Sequence, residues 1–215
     1  MIAAKATPGR WVDSSTPLTP AVCAELVREG IVGVVRYVPL PNNPAHADIS
    51  AAEAALILDA GLQLLLVQHV RMPPWSPSQH DGYTDGAIAA GSARAAGYAP
   101  GCHVFLDIEG VQGDAASTSL FCDNWARAVK SAGYRAGLYC GYSDPLSADQ
   151  LYERPGFTTY WSDAGHRRVS TRGVAMTQGN EITIAGTKFD TDVIAPDLLG
   201  EVPWALTEEN VPSAA

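Results

Sequence analysis

Eight short apolar runs, the first four each followed by a helix that stops at a glycine, limit how this chain can fold. Trp11-Val12-Asp13, Ile31 to Tyr37, Leu62 to Val70, Cys102 to Glu109, Arg135 to Tyr142, Phe157 to Ser162, Val174 to Gln178 and Lys188 to Ile194 read as strands. The early ones are separated by helices with recognisable ends. Thr19 as N-cap, with Pro20 at the first helical position, opens a segment through Glu29 that stops at Gly30. Ser50 and Glu53 form a capping-box pattern, and that helix runs to Ala60 before Gly61. Further helices span Thr84 to Ala96, Ser117 to Ala132 and, briefly, Ser147 to Tyr152.

Near-continuous apolar strands joined by helical crossovers predict a parallel sheet covered on both faces. Eight such units suit closure, so the expected class is α/β: an irregular (β/α)8 TIM-type barrel in a single domain. The irregularity belongs to the second half, where Ser162 to Val174 and Gln178 to Lys188 leave too little chain for a full helix. An open doubly wound sheet is the alternative. Against it, Asp13-Ser14-Ser15-Thr16-Pro17 follows the first strand where a glycine-rich phosphate loop would stand. The barrel is assigned to residues 1–199 and a C-terminal tail or linker to residues 200–215, with Val202-Pro203-Trp204 expected to dock on the barrel and Thr207 to Ser213 expected to be a mobile linker.

With 215 residues, 47% of them apolar and 17% charged, the chain buries a full core. A net charge of −9, with Lys and Arg scattered singly apart from Arg167-Arg168, lacks the basic footprint that nucleic acid requires. Cys23, Cys102, Cys122 and Cys140 show neither a CxxC pair nor metal-type spacing with histidines, and read as buried free thiols. His69, His80 and His103 make no metal set, and no metal or cofactor is expected. Met1 to Arg10 has no apolar stretch after its charge and no segment approaches ~18 apolar residues, so neither a signal peptide nor a membrane span is expected. The expectation is a monomer made in the cytoplasm, carried to any outside substrate by another agent.

The chemistry concentrates in Phe105-Leu106-Asp107-Ile108-Glu109. Side chains alternate along a strand, so Asp107 and Glu109 face the same way, with alpha carbons roughly 6 to 7 Å apart. Two carboxylates at the mouth of a buried strand repel each other and resist desolvation. That raises the pKa of one of them and suits it to act as a general acid near neutral pH. A solvent-facing ion-paired or capping pair is the structural alternative.

A barrel carries its chemistry at the carboxyl ends of its strands. Read in turn, those ends present Asp13, Arg36 with Tyr37, Gln68 with His69, Asp107 with Glu109, Tyr139, Trp161 with Asp163, Gln178, and Asp190 with Asp192. Acids, amides and aromatic faces on one rim suit a carbohydrate. Arg36, Gln68, Tyr139, Trp161, Gln178, Asp192 and Trp75 are the candidate sugar contacts. Arg36, facing inward, needs a carboxylate such as Asp13 or Glu109, as a structural ion pair or beside a ligand. Trp161 fills the interior or stacks on a sugar. Trp75, in a proline-rich loop, covers the substrate or anchors a surface turn.

This order of residues, with Gly137-Leu138-Tyr139 on the fifth strand and Phe189-Asp190-Thr191-Asp192 near the end, resembles the family 25 glycoside hydrolases. Those are lysozyme-type muramidases on an irregular β/α barrel. With Val34-Val35-Arg36-Tyr37 and the alanine-rich helix before the fourth strand, the layout is still more similar to the glycoside-hydrolase-like relatives grouped as domain of unknown function 1906, over residues 8 to 198. The resemblance implies Glu109 as the general acid and Asp107 as a stabiliser of the positive sugar or a holder of its acetamide. Asp13 and Asp190 match two further acids that orient the pair. Ser14-Ser15-Thr16-Pro17 departs from family 25, which has aromatic and His residues after its first Asp.

The implied function is hydrolysis of the peptidoglycan glycan strand after N-acetylmuramic acid. The protein would then be a phage lysin freed by a holin, a virion-borne component or a secreted toxin. Two other readings stand beside it: a non-catalytic glycan-binding barrel, and a hydrolase of another N-acetylhexosamine polymer such as chitin. Retaining enzymes with their own nucleophile hold the carboxyl groups ~5–5.5 Å apart and inverting ones ~6.5–9.5 Å, while a neighbouring-group route through the acetamide escapes that rule.

Overall fold

The computed structural model describes residues 1–40, 47–72, 74–141, 144–154, 156–163 and 169–208. The chain opens with β1 (Ile2–Lys5), β2 (Gly9–Asp13), α1 (Pro20–Arg28), β3 (Gly33–Val38), α2 (Ala51–Asp59) and β4 (Gln63–Gln68). A 3-10 turn at Pro77–Gln79 precedes α3 (Gly82–Ala95), β5 (His103–Asp107), α4 (Ala115–Ser131), β6 (Arg135–Tyr139) and α5 (Ala148–Tyr152). Last come β7 (Phe157–Asp163), β8 (Met176–Ile184), β9 (Thr187–Ile194) and β10 (Trp204–Thr207).

Strands β2 to β9 close a barrel in chain order, with β4 paired to β5 and β9 returning to β2. From β2 to β8 every neighbour is parallel. Parallel pairs need crossovers, and α1 to α5 supply the first five. The eight expected strands are therefore the eight of the barrel, with one correction. β9 runs antiparallel to both β8 and β2, since the chain turns back with Ile184 opposite Thr187. The interval from Gln178 to Lys188 holds a hairpin, but falls short of the dozen or so residues of a parallel crossover.

Two strands escape the sequence reading. β1 and β10 pair antiparallel from Ile2 opposite Thr207 to Lys5 opposite Trp204, and β10 joins β4 where Leu206 faces Leu64. The sheet thus continues to Thr207, past the boundary drawn at residue 199, and takes in Trp204. Tyr142, Arg167-Arg168 and the end of the expected tail lie outside the described residues.

Helix starts follow the capping residues. The side chains of Thr19, Ser50, Asp81, Asp114 and Ser147 each accept a first-turn backbone N–H, a bond worth ~1 kcal/mol per cap. At Ser50 only half of the expected box forms. Glu53 turns away to accept the Leu18 N–H at 2.9 Å and the Arg36 guanidinium.

Alternation then sorts the strand side chains. Trp11, Val35, Leu65, Phe105, Trp161 and Met176 fill the barrel interior, whereas Val12, Val34, Leu64, Val104 and Leu138 face the helices. Gly137 is needed on the inner face because the Phe105 ring lies 2.5 Å from where a Cβ would stand. At the amino-terminal end, His103 closes the floor. Its Nδ1 accepts the Trp204 N–H at 2.8 Å and its Nε2 lies 3.0 Å from Thr158 Oγ1. Burial drives its pKa down to about 3, so the ring is neutral and joins β5 to β10.

Candidate active site

At the opposite end of the barrel, Asp107 is the last residue of β5 and Glu109 lies two residues on. Asp107 Oδ1 accepts the Glu109 N–H at 2.9 Å, so the chain folds over the first acid and raises the second above it. Asp107 is 8% exposed and Glu109 half-buried. Burial first, then the charges of Glu109 and Asp13, hold the Asp107 carboxyl well above the usual carboxylate range, against the pull of the Glu109 N–H. The sequence reading places the retained proton on Glu109 beside an ionised Asp107. Desolvation instead favours a proton on the deeper acid, Asp107.

β6 positions Glu109. The Tyr139 hydroxyl lies 3.0 Å from Glu109 Oε1. Gly141, at φ +48°, lets the backbone pass directly against the Glu109 side chain.

Across the mouth, Asp13 ends β2 and is buried. Its Oδ1 accepts the Tyr37 hydroxyl and its Oδ2 the Gln178 Nε2–H, both at 2.9 Å. Burial pushes Asp13 up to about 6, with Asp190 adding repulsion and the Gln178 and Tyr37 donors opposing the rise. Asp190 stands opposite Asp13 in the β2–β9 pair and is half-buried. Its carboxyl is raised by burial and then by Glu181. The Tyr139 hydroxyl is 2.6 Å from Gln178 Oε1, so Asp13, Gln178, Tyr139 and Glu109 form one hydrogen-bonded chain across the barrel.

Among the expected sugar contacts, Arg36 and Gln68 are corrected outright. Both follow an inward residue by one position and so point out toward the helices. Arg36 is fully buried against Glu53, with Nε 2.6 Å from Oε1, and also donates to the backbone carbonyls of Ser14 and Ala47. Gln68 donates to the carbonyls of Pro39 and Asp85 and accepts the Trp125 Nε1–H at 2.7 Å. Trp75 is an anchor and not a cover. It is buried, donates to the Glu109 carbonyl at 3.0 Å and packs edge-on against Phe121.

Trp161 and Asp192 lie on the inner face but below the rim, each 1% exposed. Trp161 packs between Tyr139 and Phe105, with ring centroids 4.4 and 5.8 Å away. Asp192 sits beside Asp13, and neither of its oxygens makes a well-formed hydrogen bond. Burial, then the Asp13 charge, holds its carboxyl well above the usual range. The sequence reading left Tyr37 and His69 out of the candidate set. Tyr37 binds Asp13 and stacks on His69 at 4.6 Å, and His69 Nε2 lies 3.1 Å from Asp48. Alternation from Val35 would have placed Tyr37 on the inner face.

Among the described residues no group of His, Cys, Asp and Glu has the arrangement of a metal centre, and no helix is long and apolar enough to cross a membrane. The four cysteines are buried thiols.

Comparison with solved structures places the fold. The Mycobacterium tuberculosis Tat-secreted protein Rv2525c is 15% identical with a TM-score of 0.67, the match covering 91% of this chain and 99% of that one. The catalytic domain of endolysin ply40, from bacteriophage P40 of Listeria monocytogenes, is 16% identical with a TM-score of 0.61, covering 89% and 95%. The modular Cpl-1 endolysin, solved as a mutant complexed with a peptidoglycan analogue, is 15% identical with a TM-score of 0.58, covering 90% and 56%. At such identities the likeness is one of fold. No curated protein matches the chain. The model of the Rv2525c-like, glycoside hydrolase-like domain matches residues 24–192, from α1 through Asp192, and the chain belongs to that family.

Proposed function

We propose that the protein is a lysozyme-type glycoside hydrolase that cuts the glycan strand of peptidoglycan after N-acetylmuramic acid. The observation that carries this reading is the contrast between two acids on one face: Asp107 buried and held by a backbone N–H, Glu109 half-exposed above it at the mouth of a closed barrel. A proton donor must reach the glycosidic oxygen, and a stabiliser of the positive sugar works best in the low-dielectric ground beneath it.

In the reactive form Glu109 carries the proton and Asp107 is the anion. Glu109 gives its proton to the leaving oxygen as the glycosidic bond breaks. Asp107 stabilises the charge at the sugar, or holds the acetamide N–H so that its carbonyl oxygen attacks the anomeric carbon. Water then adds at that carbon and returns a proton to Glu109. Asp13 and Asp190, at the facing edge, keep the local potential negative around a cationic transition state. The endolysin folds among the solved relatives support the substrate class.

Incubation with purified sacculi tests the reading. Reducing ends at N-acetylmuramic acid are expected, falling by about 10²-fold or more in Glu109→Gln. Intact sacculi with retained binding would instead make the protein a glycan-binding module, and cleavage confined to chitin would move it to another polymer.

A further inference from the structure

We propose that Gln178 and Tyr139 are positioning residues that tie a proton on Glu109 to a negative charge on Asp13 across the barrel mouth. The linkage deepens the hydrolase reading and takes its catalytic meaning from it.

Hydrogens can be counted along the chain. Gln178 Nε2 lies 2.9 Å from Asp13 Oδ2, and its Oε1 lies 2.6 Å from the Tyr139 hydroxyl. A glutamine amide has one donor end and one acceptor end. With its N–H groups toward Asp13, its carbonyl receives the phenolic hydrogen of Tyr139. That phenol has a single hydrogen, yet Glu109 Oε1 also lies 3.0 Å from it. Having given the hydrogen to the closer partner, Tyr139 meets Glu109 as an acceptor, and Glu109 supplies the bond by carrying a proton. At the far end Asp13 receives hydrogens from both Gln178 and Tyr37, the surroundings of a carboxylate.

Every bond then points one way, from Glu109 to Tyr139 to Gln178 to Asp13. The reverse polarity requires a proton on Asp13, a turned amide and an ionised Glu109. A mixture of the two leaves donors facing donors or acceptors facing acceptors.

The groups around the Asp13 end favour the first polarity. Asp13 faces Tyr37 on β3, Asp107 on β5, Gln178 on β8, and Asp190 and Asp192 on β9. Among the described residues Glu109 faces Asp107 and Tyr139, with Asp163 of β7 also acting on Tyr139. His69, the residue after β4, reaches this set through its stack on Tyr37. Burial lifts Asp107 and Asp192 well above the usual range but Asp13 only to about 6, because two donors are aimed at it. The two hydrogens aimed at Asp13 thus favour negative charge at that end of the chain.

Carbon-13 carboxyl NMR titration of the full chain, wild type against Gln178→Met, tests the linkage. The substitution frees the Tyr139 hydrogen for Glu109 and removes a donor from Asp13. The Glu109 midpoint is expected to fall and the Asp13 midpoint to rise, each by about half to one pH unit, the size of one net hydrogen bond. In a Tyr139→Phe background the same change should leave Glu109 unmoved while Asp13 still rises. Gln178→Asn, which shortens the reach, is the second variant and should give the same opposed shifts should the first fail to fold. Loosening of the mouth would admit water to both acids and lower both midpoints together. That outcome, or a Glu109 midpoint that stays put, overturns the proposal. A reducing-end assay on sacculi separates the two readings: opposed shifts in a protein that cleaves no glycan uphold the linkage and sink the hydrolase, whereas opposed shifts in an active one move the basic limb of its pH profile to lower pH.

Discussion

Gly141 and Glu109 share a space that a single added carbon would overfill. A Cβ at position 141 would stand 2.2 Å from Glu109 Cγ and 2.8 Å from Cδ, on a backbone at φ +48°. Gly141→Ala is therefore expected to push the acid off its station. A displacement of about 1 Å in a catalytic group costs on the order of 10²-fold in rate, while the strained backbone costs only ~1–2 kcal/mol. Kinetics on sacculi beside a thermal melt check this; a stable variant with full activity would show that Glu109 does not need its observed position.

Arg36 makes the opposite prediction. Its ion pair with Glu53 is buried between sheet and α2, so Arg36→Met strands a carboxylate and should cost about 3–5 kcal/mol. The double variant Arg36→Met/Glu53→Leu should recover much of that loss. Glycan binding per folded molecule should stay unchanged in both, as measured by sacculus pull-down with unfolding curves. Weaker binding by a fully folded variant would return Arg36 to the sugar site.

Asp192→Asn is expected to stabilise the protein near neutral pH. The unfolded aspartate ionises near its ordinary 3.8, whereas burial keeps the folded one protonated well above that. Above pH 3.8 the folded state thus holds the extra proton, and its stability declines as pH rises until the folded group also ionises. Asparagine removes that dependence and can donate to Asp13. The gain should be ~1–3 kcal/mol at pH 7 and small at pH 3.5, read from urea unfolding at both. An equal gain at the two pH values would deny Asp192 its raised pKa.

The strand-helix rhythm was legible because each strand is an apolar run ended by polar residues and each early helix is capped and then stopped by glycine. The same continuity hid the direction of individual side chains. In Val34-Val35-Arg36-Tyr37 both faces are buried, one by the barrel interior and one by helices, so no polar alternation marks Arg36 as outward. Asp107 and Glu109 escaped that ambiguity, since any two residues spaced i, i+2 share a face whichever face it is. The reversal of β9 was veiled for a different reason: Asp190 and Asp192 keep their inward parity in either strand direction. β1 and β10 are short and pair with each other across the length of the chain, which no local pattern reports.

His103 links the barrel floor to acid stability. Its folded pKa, depressed to about 3 from an ordinary 6.5, means that the unfolded chain binds the extra proton between those values. Stability from this group is complete above pH 6.5 and is lost as pH falls toward 3. His103→Gln, which keeps an acceptor for the Trp204 N–H, should cost ~1 kcal/mol at pH 7 yet flatten the decline between pH 6.5 and 4. Guanidinium midpoints across that range decide it, and parallel curves for the two proteins would remove His103 from the account.

The hairpin of β8 and β9 reaches its turn at the exposed residues Ala185 and Gly186, beyond the pairs that close the barrel, Met176 with Ile194 and Gln178 with Asp192. Extra residues spliced into that turn would build up the parapet beside the acids while leaving the stave number of the cask untouched. Loop-closure entropy rises slowly with length, so this tip is the natural graft point for an evolving or engineered barrel that must grip a longer or differently branched saccharide.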